Sequence, residues 1–137
     1  MLIATHHYAD TIVATPAGRI DHRSAADLEA ALAPLLAQAG ERKGALVLDF
    51  AGVEYISSMG LRVLMVAAKQ MKSRNAAVAV AGLQPEVAEI FEIARFRFVV
   101  DVFPSVRDAL VALSAPAAAA YDASRTSTPR ASGGPAD

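Results

Sequence analysis

Two adjacent serines, Ser57 and Ser58, are the side chains whose type and spacing are best suited to chemistry. They follow a short apolar segment that ends in Asp49, and they precede a segment with apolar residues at helical spacing. In an α/β sheet, functional residues gather at the carboxyl ends of strands, which is where these two hydroxyls are expected. The sequence therefore marks this loop as the candidate site.

Two compatible roles are open for these hydroxyls. A serine before a helix is a common N-cap, because its oxygen accepts a hydrogen bond from an unpaired backbone N–H. The same hydroxyl can accept a phosphoryl group, since the unpaired N–H groups and the positive end of the helix dipole favour an anion there. A phosphate adds about −1.5 to −2 charges, which is enough to reject a partner docked on a nearly neutral surface.

Other catalytic patterns are absent from the sequence. There is no cysteine, and the 8 glycines form neither a dinucleotide-binding motif nor a phosphate-binding loop. His6 and His7 point to opposite faces if they lie on a strand, and together with His22 they make a poor metal set. A serine nucleophile at Ser58 has no evident base. We therefore expect no enzymatic activity, no metal and no cofactor.

The composition is typical of one globular domain. Of 137 residues, 54% are hydrophobic and 20% are charged, so the chain can bury a core. The 13 basic residues balance 14 acidic residues, which argues against nucleic-acid binding. The longest stretch without a charged residue is Ala109–Tyr121, which is shorter than the about 20 residues of a membrane span. No signal-peptide pattern is evident, so we expect a cytoplasmic protein without membrane insertion.

Strand-like and helix-like segments alternate along the first part of the chain. Segments near Leu2–Tyr8 and Thr11–Thr15 are typical of a hairpin, and Ser24 begins a helix that ends near Gly40. Three later apolar runs, each followed by a helical pattern, predict further strands: Ala45–Asp49, Ala76–Val80 and Phe98–Val100. The predicted order ββαβαβαβα favours an α/β domain with a mostly parallel or mixed central sheet.

The remaining segments are predicted to be irregular. Pro16–Gly18 interrupts the second strand, and Gly52–Ser57 is expected to be a loop. Residues 115–137 contain eight alanines and ten proline, glycine, serine or threonine residues, and Tyr121 is their only large apolar side chain. Such a composition buries too little surface to offset the entropy of ordering it. We therefore predict a single domain at residues 1–114 and a disordered tail at residues 115–137.

The segment around the serines resembles a known family. Residues 47–64 read VLDFAGVEYISSMGLRVL, which is similar to the central motif of STAS domains, in particular of the bacterial anti-sigma factor antagonists. Weaker matches follow the same order along the chain and extend the likeness over about residues 8 to 114. They lie at Gly18–Asp21, Ala79–Leu83, Pro85–Val87, Val102–Val106 and Ala109–Leu110.

This resemblance implies a function by partner switching. Domains of the family bind a serine kinase that also serves as an anti-sigma factor, and this binding releases the sigma factor. The kinase inactivates the domain by phosphorylating a serine at the start of the second helix, and a metal-dependent serine phosphatase restores it. The domain itself is not an enzyme. Five residues near the serines are the predicted partner-binding residues: Asp21, Asp49, Met59, Gly60 and Arg62.

Met59 departs from the family pattern, because the acceptor hydroxyl usually stands directly before the glycine. Two interpretations follow. Either Ser58 or Ser57 is the acceptor, shifted along the chain, or phosphorylation is lost and the domain docks constitutively on a larger assembly such as an ABC transporter. For Asp21 and Asp49, an ordinary role as a turn or strand-end acid is the alternative to partner recognition.

Overall fold

The computed structural model describes residues 3–131. This part of the chain forms seven strands, five α-helices and one short 3₁₀ turn. In chain order the strands and α-helices are β1 (Ala4–Tyr8), β2 (Thr11–Thr15), β3 (Ala17–Ile20), α1 (Ser24–Glu41), β4 (Ala45–Asp49), β5 (Gly52–Ile56), α2 (Ser58–Ser73), β6 (Ala77–Ala81), α3 (Pro85–Ile93), β7 (Asp101–Phe103), α4 (Val106–Leu113) and α5 (Ala115–Ala131).

A five-stranded sheet in the order β1-β2-β4-β6-β7 forms the centre of the fold. β1 is antiparallel to β2, and the other neighbouring pairs are parallel. β3 and β5 form a separate parallel sheet of two strands. The predicted α/β class and the mixed central sheet are therefore confirmed.

Strand β4 is buried on both faces of the central sheet. Leu46 and Leu48 belong to a large apolar cluster that includes side chains of α1, α2 and α3. Val47, between them, belongs to a second cluster with side chains of α4 and α5. Because successive strand residues point to opposite faces, helices cover both sides of this sheet. The continuous apolar run in the sequence follows from this double burial.

The small sheet of β3 and β5 replaces segments that the sequence predicted to be irregular. β3 occupies most of the expected break after β2, and β5 occupies most of the expected loop before α2. Proline and glycine in these segments are typical of turns, which explains the incorrect prediction. The segments form strands because they pair with each other, with Ile20 opposite Ile56 and both side chains buried.

The last strand begins later than predicted. Instead of a strand at Phe98–Val100, the chain forms a 3₁₀ turn over Phe96–Phe98, and β7 begins at Asp101. Arg95 precedes this turn in a left-handed conformation, with a φ of 54°. The apolar run had suggested burial, but Phe98 is 85% exposed. Pairing with β6, and not local hydrophobicity, selects the residues that form the strand.

Residues 115–131 form helix α5, whereas the sequence predicted a disordered tail from residue 115. Ala117 and Ala118 are buried in the second apolar cluster. Ser114 caps the helix, because its Oγ accepts a hydrogen bond from the Ala117 N–H at 3.2 Å. The same hydroxyl donates to Oδ1 of Asp10 at 2.7 Å.

Two further contacts hold α5 against the domain. The ring of Tyr121 meets the ring of Tyr8 edge-on, with 5.3 Å between centroids. The Arg107 guanidinium donates to both carboxylate oxygens of Asp122, at 3.0 and 3.1 Å. The prediction failed because alanine favours helix strongly, and its small side chain packs closely without burying a large apolar group. Residues 132–137 of the predicted tail lie outside the described residues.

Packing of α5 can be tested with one substitution at two nearby positions of the helix. Ala117→Asp buries a carboxylate in the second cluster, and we expect it to lower the free energy of unfolding by about 2 kcal/mol. Ala119→Asp is the matched control, because Ala119 is exposed and the change there is worth about 0.5 kcal/mol or less. Urea unfolding followed by circular dichroism measures both. Equal stabilities for the two variants would contradict the packing of α5.

Candidate functional site

The loop between β5 and α2 is fixed by backbone contacts on both sides of Ser57. The Ser57 N–H donates to the carbonyl of Ile20 at 2.8 Å, which continues the pairing of β5 with β3. The Ser57 carbonyl accepts a hydrogen bond from the Leu61 N–H at 2.9 Å, which begins α2. The Ser57 Oγ accepts a hydrogen bond from the Gly60 N–H at 3.2 Å. Ser57 is therefore the N-cap of α2, and its hydroxyl is engaged.

Ser58 is the first residue of α2 and is exposed. Within residues 3–125, no side chain or backbone group makes a hydrogen bond with its hydroxyl. The unpaired N–H groups of the first helical turn and the positive end of the helix dipole lie at this position. The cap role thus falls to Ser57, and the hydroxyl beside it is left accessible.

Gly60 lies at a close approach between α2 and the small sheet. A Cβ at this position would lie 2.7 Å from Cγ1 of Ile56 and 2.8 Å from Cγ2 of Ile20. Any side chain here would push the start of α2 away from both strands. Gly60 is buried, so its part in the site is to permit this packing, and it does not present a surface to a partner.

Met59 and Arg62 are the exposed predicted partner-binding residues of α2. Met59 is 39% exposed, so part of its apolar side chain is available for contact. Arg62 is exposed and follows Ser58 by one helical turn, and residues four apart are neighbours on a helix surface. The structure therefore gives the surface around Ser58 both apolar and cationic character.

Asp21 lies in the turn between β3 and α1, directly after the residue that bonds Ser57. Its Oδ1 accepts hydrogen bonds from the backbone N–H groups of Arg23 and Ser24, at 3.0 and 2.9 Å, and from Oγ of Ser24 at 3.0 Å. The bond from the Ser24 backbone N–H, followed by that from its hydroxyl, lowers the pKa of Asp21. Asp21 thus stabilises the turn that leads into α1, and its carboxylate remains exposed beside the serine loop.

Asp49 is half-buried at the end of β4. Its Oδ1 accepts a hydrogen bond from the Ala51 N–H at 3.0 Å and lies close to Gly82, after β6. These contacts are made at the turn after β4, not with either serine. These contacts fit a strand-end acid, and partner recognition by Asp49 stays a prediction.

A shallow apolar groove beside Ser58 was missed by sequence reasoning. It has a volume of about 370 Å³ and lies between the start of α2, the end of β5 and the end of α3. Ile93, on its α3 side, is 76% exposed. The available signal in the sequence was an isoleucine that lies off the apolar stripe of its predicted helix. Together with Ser58 the groove is lined by Tyr55, Ile56, Leu61, Ile90, Ile93 and Ala94.

Arg19 adds a second cation near this groove. Its guanidinium lies 4.4 Å from the centroid of the Tyr55 ring, which is a cation–π distance. The two residues are paired in register across β3 and β5, so the small sheet brings them together. Sequence alone gave no sign of this contact, because it depends on two strands that were not predicted.

Two negative findings apply to the described part of the chain. Among those residues, no three histidine or acidic side chains are grouped so that they could bind a metal ion. None of the helices described is both long enough and apolar enough to cross a bilayer.

Comparison with known proteins identifies the family. The STAS domain model matches residues 3–109. BtrV of Bordetella bronchiseptica, named as an anti-sigma factor antagonist, is 39% identical over 119 residues, which cover 87% of this chain and 90% of BtrV. The chain therefore belongs to the STAS domain family.

Solved structures share this fold at low sequence identity. An anti-sigma factor antagonist from Mycobacterium paratuberculosis is similar with a TM-score of 0.72 and 23% identity, over 82% of this chain and 92% of that one. The phosphorylated form of the Bacillus cell fate determinant SpoIIAA is similar with a TM-score of 0.59 and 12% identity, over 80% of this chain and 96% of that one. At these identities the likeness supports the fold alone.

The division of roles between the two serines leads to a stability prediction. Ser57→Ala removes the oxygen that caps α2, and we expect it to lower the free energy of unfolding by about 0.5–2 kcal/mol. Ser58→Ala is the matched control and should change it by about 0.5 kcal/mol or less. Thermal and urea unfolding of both variants measure the difference. A larger loss for Ser58→Ala than for Ser57→Ala would contradict the assignment of the cap.

The close approach at Gly60 leads to a second stability prediction. Gly60→Ala should lower the free energy of unfolding by about 1–3 kcal/mol, because the clash outweighs the better helix propensity of alanine. In an Ile56→Ala background the same change should cost less, since one clashing side chain is gone. A double-mutant cycle measures this coupling. Additive effects of the two substitutions would show that the contact does not constrain α2.

Proposed function

We propose that this chain is an anti-sigma factor antagonist that acts by partner switching, with Ser58 as the phosphoryl acceptor. The unmodified domain binds a serine kinase that also serves as an anti-sigma factor. Phosphorylation of Ser58 prevents this binding, and a metal-dependent serine phosphatase restores it. The name of BtrV supports the antagonist function.

Ser58 is proposed as the acceptor because the two serine hydroxyls differ in hydrogen bonding and exposure. The Ser57 oxygen is held by the Gly60 N–H, whereas the Ser58 hydroxyl is exposed at the first turn of α2. A kinase forms a bond between the hydroxyl oxygen and the γ-phosphorus of ATP, breaks the bond to ADP, and removes the hydroxyl proton. This step requires an accessible oxygen. Modification of Ser57 would first break the cap of the helix.

A phosphate on Ser58 would be tolerated by the folded domain. It would lie at a helix N-terminus, where unpaired N–H groups and the helix dipole favour an anion. Arg62, one turn further along α2, would supply a neighbouring cation. SpoIIAA of Bacillus has the same fold and has been solved in a phosphorylated form, which supports this view.

The surface around Ser58 suits a docked partner that phosphate can dislodge. The apolar groove between α2 and α3 opens beside the hydroxyl, and Met59 and Ile93 add exposed apolar surface. Two negative charges placed at the rim of such a surface would have to lose water on docking, and this desolvation penalty can exceed the Coulombic gain from a nearby cation such as Arg62. The modification would add about −1.5 to −2 charges to a chain whose formal charge is −1.

We further propose that the domain acts in the cytoplasm and catalyses no reaction itself. In this scheme the kinase and the phosphatase supply the chemistry, and Ser58 is their substrate. Asp21 and Arg62 are the charged residues that we place in the partner contact, because both are exposed near the serine loop. Gly60 and Asp49 contribute by holding α2 and the turn after β4.

A second function is favoured by one observation, the exposed Met59 at the usual acceptor position of the family. A methionine cannot be phosphorylated, and it offers a flexible apolar contact for a partner. In this alternative the chain is an unmodified docking subunit of a larger assembly, such as an ABC transporter. The serines would then serve the fold and the contact surface only.

Phosphopeptide mapping separates these two functions. The protein is isolated from its own cells in several growth states, and its intact mass is measured beside the Ser58→Ala and Ser57→Ala forms. We expect one added phosphate on the native protein and on Ser57→Ala, located at Ser58, and none on Ser58→Ala. The matched pair distinguishes loss of the acceptor from a disturbed loop.

The opposite results are equally informative. A phosphate that persists in Ser58→Ala and disappears in Ser57→Ala would move the acceptor to the cap residue. A native protein that carries no phosphate in any growth state would overturn the proposed switch. It would favour constitutive docking through the surface at Met59.

A further inference from the structure

The two edges of the central sheet differ in how they are protected against pairing with another chain. At one edge, β7 is only three residues long, begins with Asp101 and is followed by Pro104. Short length, charge and proline are the usual devices that block strand addition. At the other edge, β1 has five residues and reads ATHHY, with neither a proline nor an acidic or basic residue of fixed charge. β1 therefore lacks the protection that β7 has.

β1 is nevertheless exposed and well positioned. Residues Ala4 to His7 are exposed, and β2 is the one strand beside β1 within the described residues. Contacts on each face hold the strand in place. Tyr8 packs against Tyr121 of α5, and Nε2 of His7 lies 3.4 Å from Oε1 of Gln38 in α1. The open edge is thus anchored to α1 and α5 by one contact on each face.

The hairpin geometry determines which backbone groups face outward. β1 and β2 are joined by two residues, and Tyr8 and Thr11 are opposite each other at the turn. In such a hairpin the pair that closes the turn is hydrogen-bonded, and bonded and non-bonded pairs then alternate along the strands. His6 therefore bonds to β2 with both backbone groups. The N–H and carbonyl groups of Thr5 and His7 point away from β2.

We propose that β1 is a self-association edge, which joins two copies of this chain through antiparallel β1–β1 pairing. Outward groups must meet outward groups, and this excludes every register that pairs an odd with an even residue. The register centred on His6 uses all of the outward N–H and carbonyl groups. In this register Thr5 of each copy lies opposite His7 of the partner subunit. This register forms four backbone hydrogen bonds and joins the two central sheets into one of ten strands.

A second copy fits this edge for three reasons. Antiparallel pairing of identical strands is a closed two-fold contact, in which the same patch serves on both subunits. A strand without fixed charges meets its own copy without like-charge repulsion. The register centred on His6 also places Ala4 opposite Tyr8 of the partner subunit, so that a small residue faces a large one.

The dimer leaves the candidate site open. Ser58 belongs to α2, which packs mainly against α1, β6 and β5, whereas β1 packs mainly against β2 and α5. A dimer would present two serine loops at once. The self-association proposal therefore does not depend on whether Ser58 is phosphorylated.

Sedimentation velocity of the full chain tests the proposal, together with two variants that share one substitution. Thr5→Lys/His7→Lys places two lysine–lysine pairs across the predicted axis. Thr5→Lys/His7→Glu places two lysine–glutamate pairs there. Both variants keep the strand residues that bond to β2, and circular dichroism and melting temperature check their fold. The sign of the charge at position 7 should change the dissociation constant only in the predicted register, in which positions 5 and 7 of the two copies lie opposite each other.

The expected result is a concentration-dependent dimer for the native chain, measured up to about 1 mM. The dissociation constant of the lysine–glutamate variant should be at least about tenfold lower than that of the lysine–lysine variant. A native chain that remains monomeric over this range would overturn the proposal. A dimer whose dissociation constant is the same in both variants would also overturn it, because another surface must then be the interface.

Discussion

The start of α2 rests directly on the side chains of Ile20 and Ile56, and the position of the serine loop depends on this contact. It is possible only because Gly60 has no side chain, since a Cβ would lie under 3 Å from each isoleucine. The hydrogen bond from Ser57 to the carbonyl of Ile20 adds a directional link at the same place. This contact therefore fixes the position of the helix start on the small sheet, and the positions of the two serine hydroxyls depend on it.

The small sheet has a larger role than its two short strands suggest. It supplies both isoleucines, the backbone acceptor for Ser57 and the contact between Arg19 and Tyr55. None of these could be predicted locally, because β3 and β5 form strands only by pairing with each other across a long stretch of sequence. Long-range pairing outweighs the turn preference of proline and glycine at these positions.

Where elements are defined by their own periodicity, the sequence was sufficient. The helical stripes of α1 to α4 and the doubly buried strand β4 were predicted because burial repeats at the period of the element. Prediction failed where tertiary contacts decide, as at Phe98 and in α5. Phe98 is exposed although phenylalanine is usually buried, and Ala117 and Ala118 bury α5 with small side chains.

The sequence identified the serine loop as the candidate site, but not how the two hydroxyls differ. Adjacent serines before an amphipathic helix identified the loop, but a sequence cannot show which hydroxyl points into the first turn. The packing of α2 on the small sheet determines that direction, and the hydrogen bond from the Gly60 N–H makes Ser57 the cap. Partner binding by Gly60 and Asp49 stays a prediction, and the contacts that the structure shows for both residues are internal to the domain.

The packing of α2 on the small sheet also determines how a phosphate on Ser58 would act. The cap hydrogen bond, the Ser57 backbone bonds and the Gly60 contact are all made by other residues, so a charge on Ser58 need not break any of them. An added charge is screened in solution beyond about 8 Å, which limits its direct reach to the groove and the first turns of α2. The switch that we propose is therefore a change in the local surface, with the backbone unchanged. A partner would sense the charge at the rim of the apolar groove, and the fold would serve to hold that rim in place.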